Sequence, residues 1–163
     1  MQVINTPISP YVQNAPIAYC EDTQKCIFID PGDEIDKLIQ VQKNLNLTPE
    51  YIFITHGHID HAGAAKELAD KLNLDIIGPH IDDNFLLQAL EIQGQMYGMK
   101  AQNFTPDEWL KHGDTITFGN QILDIKHCPG HAPGHVIGIN HKAKKIIVGD
   151  VLFNGSIGRT DLP

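Results

Sequence analysis

The sequence is poor in the residues that would commit it to a disulfide framework, a membrane or a polyanion. Its 163 residues include only three cysteines, Cys20, Cys26 and Cys128, and an odd, scattered set predicts reduced thiols and a cytoplasmic setting. No apolar run approaches the roughly 18 residues of a membrane span. The N-terminal stretch MQVINTPISPYVQNAP lacks the basic-then-apolar order of a leader. Basic residues are scarce as well: 12 Lys and Arg against 20 Asp and Glu give a net charge of −8. That leaves no surface to track phosphates, which argues against nucleic acid or an anionic membrane as partner. A small anionic substrate would need a local basic pocket.

What is present reads as one globular domain spanning residues 1–163. The chain is long enough for a sizeable core and short for two, and its 42% hydrophobic and 20% charged residues exclude disordered and fibrous classes. No internal repeat, low-complexity tract or linker divides it. Short β-branched runs alternate with helical patterns, giving an α/β class with strands in both halves. Strands are expected near residues 2–8, 17–20, 26–29, 51–54, 75–77, 115–118, 121–125, 136–140 and 145–148. A helix capped by Asp33 would bury Ile35, Leu38, Ile39 and Leu45 and end near Asn46. A second would open at Asp60 and bury Ala65, Leu68, Ala69 and Leu72. Residues 80–112 are less periodic; Phe85, Leu86, Leu87 and Leu90 suggest a helix, followed by a Gly- and Met-containing loop that is a candidate lid.

Three elements carry chemistry. After the apolar strand ending at Ile54 the chain reads Thr55-His56-Gly57-His58-Ile59-Asp60-His61. In a turn, His56 and His58 can aim at one point while Asp60 and His61 serve another nearby. Imidazole nitrogen and carboxylate oxygen are ligands for zinc and similar divalent ions, and histidine is available neutral at pH 7. The second element, His127-Cys128-Pro129-Gly130-His131-Ala132-Pro133-Gly134-His135, is a turn-rich loop between two strands, able to hold a ligand firmly. The third is Asp150, just past an apolar strand. Elsewhere, His80, His112 and His141 lie in turn contexts that favour solvated or hydrogen-bonded roles, and His127 at a strand end. Cys128 reads as a small packed residue, and Tyr97 and Trp109 as core aromatics rather than a pocket lining.

In this order the motifs IDPG, THGHIDHAGAA, HCPGHAPGHV, GDVLF and GSIGRTDLP resemble the metallo-β-lactamase fold superfamily. They are closest to its single-domain glyoxalase II-like branch, the hydroxyacylglutathione hydrolases, from about Asp30 onward. The resemblance implies an αββα sandwich of two mixed sheets with metals at one edge. It implies His56, His58 and His131 as ligands of a first metal, Asp60 and His61 of a second, and Asp150 as the bridge. Asp30 would orient the site, and His135 would lie beside the metals as a supporting residue. Asp60 and Asp150 are the expected catalytic carboxylates. The expected cofactors are two divalent ions, zinc first, with iron or manganese as alternatives, because the same N and O ligands serve all three.

Such a pair of ions can hold a bridging hydroxide, polarise a carbonyl and stabilise the resulting oxyanion. The expected reaction is hydrolysis of a glutathione thioester such as S-lactoylglutathione. Arg159 would pair with the glutathione moiety or, equally, form a salt bridge with Asp161. Branch members usually continue past GRTD to a later histidine that completes the second metal. Asn154 to Pro163 contain neither His nor Cys, so the second site is expected to be the less complete, in a chain lacking the C-terminal part. Two alternatives compete: a persulfide dioxygenase-like enzyme with one iron on His56, His131 and Asp150, or a non-catalytic metal-binding module.

Overall fold

In the computed structural model, residues 1–8 and 13–162 are described; Pro163, the last residue of the GSIGRTDLP stretch, lies outside them. The first sheet has the order β1 (Gln2–Ile8), β2 (Gln13–Tyr19), β3 (Lys25–Ile29), β4 (Thr48–Phe53), β5 (Asp75–Ile77). It is mixed: β1, β2 and β3 run antiparallel, and β3, β4 and β5 parallel. Parallel strands must be covered on both faces, and Cys26–Ile29 and Tyr51–Phe53 are accordingly apolar runs buried throughout. Their side chains alternate between two cores. Phe28 and Ile52 face the first, where Leu38 and Ile39 of α1 (Ile35–Asn44) and Leu68 of the helix after the His-rich segment pack. Ile27, Ile29 and Phe53 face the second, against the other sheet.

That second sheet comprises β6 (Thr115–Phe118), β7 (Gln121–His127), β8 (Val136–Asn140) and β9 (Lys145–Ile147), in chain order. Phe118, Leu123, Ile125 and Val136 point inward, whereas Ile122 and Ile146 are exposed. All its pairs are antiparallel, so the mixing of directions expected of both sheets is confined to the first. Connections of two, eight and four residues are too short for the crossover that parallel pairing needs. Among the described residues, every helix that contributes to a core contributes to the first one. A small hairpin, β10 (Leu152–Phe153) and β11 (Ser156–Ile157), follows.

Several local expectations are revised. The helix expected from Asp60 is two: α2 (Ile59–Ala62) and α3 (Ala65–Leu72). The chain dips at Gly63 and Ala64, where Ala64 N–H donates to Pro31 O and a Cβ on Gly63 would meet Ile59 O and Gly32 O. Asp33 does not cap α1; its Oδ1 accepts from Glu34 N–H, one residue too early, and Glu34 takes the N-cap position in a left-handed conformation. Leu45 falls at the helix end and is exposed. The candidate lid is also not formed as a free loop. The helix expected around Phe85 forms as α4 (Asn84–Leu87), the Gly- and Met-containing stretch begins as a further helix, α5 (Leu90–Tyr97), and Met99, Ala101, Phe104 and Trp109 beyond it pack on the first core. Apolar anchoring at four points gives that segment the character of covering structure.

Candidate metal centre

The carboxyl ends of β3 and β4 lie side by side, Ile29 opposite Phe53. One residue further on, Asp30 N–H donates to Phe53 O, and Val136 N–H donates to Thr55 O. These bonds draw the ends of both sheets together, and the four chemistry-bearing segments leave from this one edge: Asp30, Thr55–His61, the β7–β8 loop and Gly149–Asp150. A strand end lets the backbone turn away while its last side chains project beyond the sheet, the usual place for a site in open α/β sheets.

The imidazoles of His56, His131 and His61 are fixed by what their Nδ1 atoms meet. Thr55 Oγ1 donates its hydrogen to Asp30 Oδ2 at 2.7 Å and lies 3.0 Å from His56 Nδ1. Its one proton being committed, Thr55 can only accept from Nδ1–H of His56. His56 Nε2 is then a bare lone pair, in a fully buried side chain and without a hydrogen-bond partner. His131 Nδ1 donates to Arg159 O at 2.9 Å, which frees Nε2; that nitrogen sits 3.0 Å from His58 Nδ1. Donor atoms of His56, His58 and His131 all lie within 4.8 Å of one another. Asp150 Oδ2 is 3.4 Å from His131 Nε2. Together they form the first of the two expected clusters.

The second cluster centres on His61. Its Nδ1 donates to Asp30 Oδ2 at 3.0 Å, and its Nε2 lies 3.1 Å from Asp150 Oδ1 and 3.7 Å from Asp60 Oδ2. Asp150 thus reaches both clusters with separate oxygens. Asp30 also lies close to His56 and His61, but its oxygens already accept from Thr55 N–H, Thr55 O–H and His61. It orients ligands better than it could act as one. His135, fully buried and stacked on His56 at 4.5 Å, accepts the backbone N–H of Asp150 on Nε2 at 3.1 Å. A Cβ on Gly149, whose φ is +48°, would meet Thr55 Oγ1 and His135 Nε2, so glycine lets this turn close on the imidazole.

The electrostatics favour a cation. Burial disfavours charge on His56, and its histidine neighbours add to this, holding its pKa well below the ordinary value. Burial likewise opposes charge on His61, but Asp150, Asp30 and Asp60 outweigh it and raise its pKa to about 10. Burial raises Asp150, yet His61 and the other imidazoles more than offset this and hold it below the usual carboxylate range. His56 thus offers a neutral nitrogen, while the carboxylates around His61 hold positive charge there against burial, a place that a divalent ion could take over from the proton. The orphaned Nε2 of His56 gives a direct reason to place one there, since a buried acceptor with no partner is costly. A groove of about 750 Å³ opens beside His61, Asp60 and Asp150, flanked by Gln13 and Phe153.

The pattern of the Metallo-beta-lactamase superfamily matches residues 14–163. The chain belongs to this superfamily. It is 38% identical over 165 residues to the hydroxyacylglutathione hydrolase GloC of Haemophilus influenzae, an alignment covering all of this chain and 77% of that protein. Among solved structures it is similar to the B3 metallo-beta-lactamase BLEG-1, with a TM-score of 0.87, 33% identity, and coverage of 99% of this chain and 78% of the other. It is also similar to TTHA1623 in a di-iron-bound form, with a TM-score of 0.86, 32% identity, and coverage of 98% and 78%. The superfamily fold is therefore the one expected from the motifs, and it brings together His and Asp groups that could hold metal.

Other superfamily-motif residues fall less simply. Arg159 directs its guanidinium at Asp161 in a two-pronged pair, at 2.7 and 2.6 Å, and both side chains are exposed. Only its carbonyl touches the centre, through His131. A further His80, Asp82 and His127 group lies nearby. The rings of His80 and His127 are stacked 17° from parallel, so their in-plane lone pairs do not converge on one ion. His141 pairs with Asp124 at the surface. Trp109 packs on the core as expected, whereas Tyr97 is exposed. Two residues that serve the centre were not singled out from sequence: Thr55 and Asp83. Thr55 had a signal, as the one polar residue closing an apolar strand before His56. Asp83, in an Asp-Asp-Asn turn sequence, had none.

Proposed function

We propose that this chain is a metal-dependent hydrolase of glutathione thioesters such as S-lactoylglutathione, acting with two divalent ions, zinc in the first instance. His56, His58, His131 and Asp150 would hold one ion, and Asp60, His61 and Asp150 the other. The observation that carries the reading is the convergence of His56 Nε2, His58 Nδ1 and His131 Nε2, the first buried without a partner and the last turned inward by the bond from His131 Nδ1 to Arg159 O, in a chain related along its whole length to a hydroxyacylglutathione hydrolase. Bound there, divalent ions supply Lewis acidity, which makes water a nucleophile at neutral pH and polarises the thioester carbonyl.

The protein's own part is positioning and proton handling. Thr55 and Asp30 lock the imidazole tautomers, and His135 fixes the backbone of Asp150. Asp60, partly exposed at the groove, can take the proton released as water attacks. The leaving thiolate is stable enough to depart without a strong general acid. Three unpaired cysteines fit a reducing cytoplasm. The test is release of free thiol from S-lactoylglutathione by protein of measured metal content. Oxygen consumption with glutathione persulfide, and no thiol released from the thioester, would replace this reading with a mononuclear iron dioxygenase on His56, His131 and Asp150.

A further inference from the structure

Asp83 is a fully buried carboxylate outside both donor clusters, and it holds the two ligand-bearing loops by their backbones. Its Oδ2 accepts the N–H of Gly57, between His56 and His58, at 2.8 Å. Its Oδ1 accepts the N–H of Gly134, three residues after His131, at 2.5 Å. The turn that carries it grips the second loop a second time, because His80 N–H donates to Gly134 O at 3.0 Å. Asp83 N–H in turn donates to His80 O, closing the turn on itself.

The fit is tight from both sides. A Cβ on Gly134 would lie 2.6 Å from Asp83 Cγ, and one on Gly57 would lie 3.3 Å from Asp83 Cβ and 2.8 Å from Leu86 Cβ. Glycine at these two positions serves close approach to the carboxylate and its helix. The loops are also joined on their strand side by Val136 N–H to Thr55 O; Asp83 joins them on the other.

We propose that Asp83 is a positioning residue that sets the separation of His58 from His131, and hence the ligand geometry of the first metal ion. The proposal rests on the reading of those two histidines as ligands of one ion. A carboxylate suits the task because each oxygen can take one charge-assisted N–H bond, so a single rigid group spans both loops. An amide cannot: with one oxygen and one NH₂, it would present a donor to a donor. Ligands held by preset supports lose affinity when the support is removed, typically by 10- to 100-fold.

The test compares Asp83→Asn, Asp83→Glu and Leu87→Ala in the whole chain, using Co²⁺ as probe. Leu87→Ala loosens the same helical segment, at a fully buried core position whose apolar side chain can make no hydrogen bond to the loops. Each variant is measured for Co²⁺ affinity by chelator competition, for its visible Co²⁺ spectrum, and for metal-free thermal stability. Asp83→Asn is expected to weaken Co²⁺ binding at least tenfold and to shift the spectrum. Asp83→Glu, which keeps the charge but lengthens the span, is expected to do the same, so the result does not depend on one variant folding. Leu87→Ala is expected to lower stability while leaving affinity and spectrum unchanged.

Asp83 variants that lose stability but bind Co²⁺ with parental affinity and spectrum would overturn the strap and leave the site reading intact. A parent that takes up no Co²⁺ would overturn the site reading, and the strap with it. A parent that binds Co²⁺ yet hydrolyses no thioester would overturn only the proposed reaction.

Discussion

Asp30 and His61 form a buried pair in which Oδ2 lies 3.0 Å from Nδ1, and the same carboxylate receives both polar groups of Thr55. One side chain therefore sets His61 directly and His56 through Thr55. Replacing it by asparagine removes at least one acceptor from a set of three donors. Asp30→Asn is expected to weaken metal binding 10- to 100-fold and to destabilise the fold by about 1–3 kcal/mol through the unsatisfied buried donor. Chelator competition and thermal melting measure the two effects separately. Metal affinity equal to that of the parent would show that Asp30 does not orient the ligands.

Gly158 closes the terminal loop over the centre. A Cβ there would lie 1.9 Å from Asp150 O and 3.2 Å from His131 Cβ, contacts the backbone must move to relieve. Gly130, in the β7–β8 loop, is exposed, and a Cβ there would meet nothing within 4 Å. Gly158→Ala is expected to cost ~1–3 kcal/mol of stability by overpacking and to reduce metal content, because it displaces two of the proposed ligands. Gly130→Ala should stay within about 0.5 kcal/mol of the parent. Equal metal content in the two variants would show that the terminal loop does not shape the site.

The fold and the donors were readable from sequence to different depths, for physical reasons. The central strands were visible because burial on both faces makes Cys26–Ile29 and Tyr51–Phe53 continuous apolar runs. The donors His56, His58, Asp60 and His61 were visible because four residues of two ligand types share one strand end. The break between α2 and α3 was not, since it comes from the Pro31–Gly32 backbone pressing on Gly63 and Ala64, a contact between segments far apart in the chain. Asp83 was hidden for the same reason: its partners are backbone amides in two distant loops, and an Asp-Asp-Asn stretch reads locally as a turn.

Arg159 meets the centre through its backbone. Its carbonyl accepts from His131 Nδ1, while its guanidinium is occupied by Asp161 in solvent. An exposed pair of this kind adds little to stability, and substitution leaves the carbonyl in place. Arg159→Ala is therefore expected to change kcat for thioester hydrolysis less than about twofold and to keep metal content at the parental value. A Michaelis constant raised tenfold or more, about 1.4 kcal/mol of lost binding, would instead place the guanidinium on the substrate in the bound state.

The thiols of Cys26 and Cys128 differ in reach and in acidity, and both differences are measurable. Cys26 is fully buried, and burial, with Glu50 nearby, pushes its thiol up to about 12. Cys128, beside the β7–β8 loop, is partly exposed, and burial raises its thiol less completely. Because the thiolate is the reacting form, Cys128 in the folded protein should label slowly at pH 7. Its rate should climb with pH, by about tenfold per unit while the pH remains below its pKa. Cys26 should stay unlabelled across pH 7–9 until the chain is unfolded, and then react at once. Mass mapping of labelled peptides checks both. Labelling of Cys26 at a rate matching Cys128 in the native protein would mean that the first core opens far more readily than its burial implies.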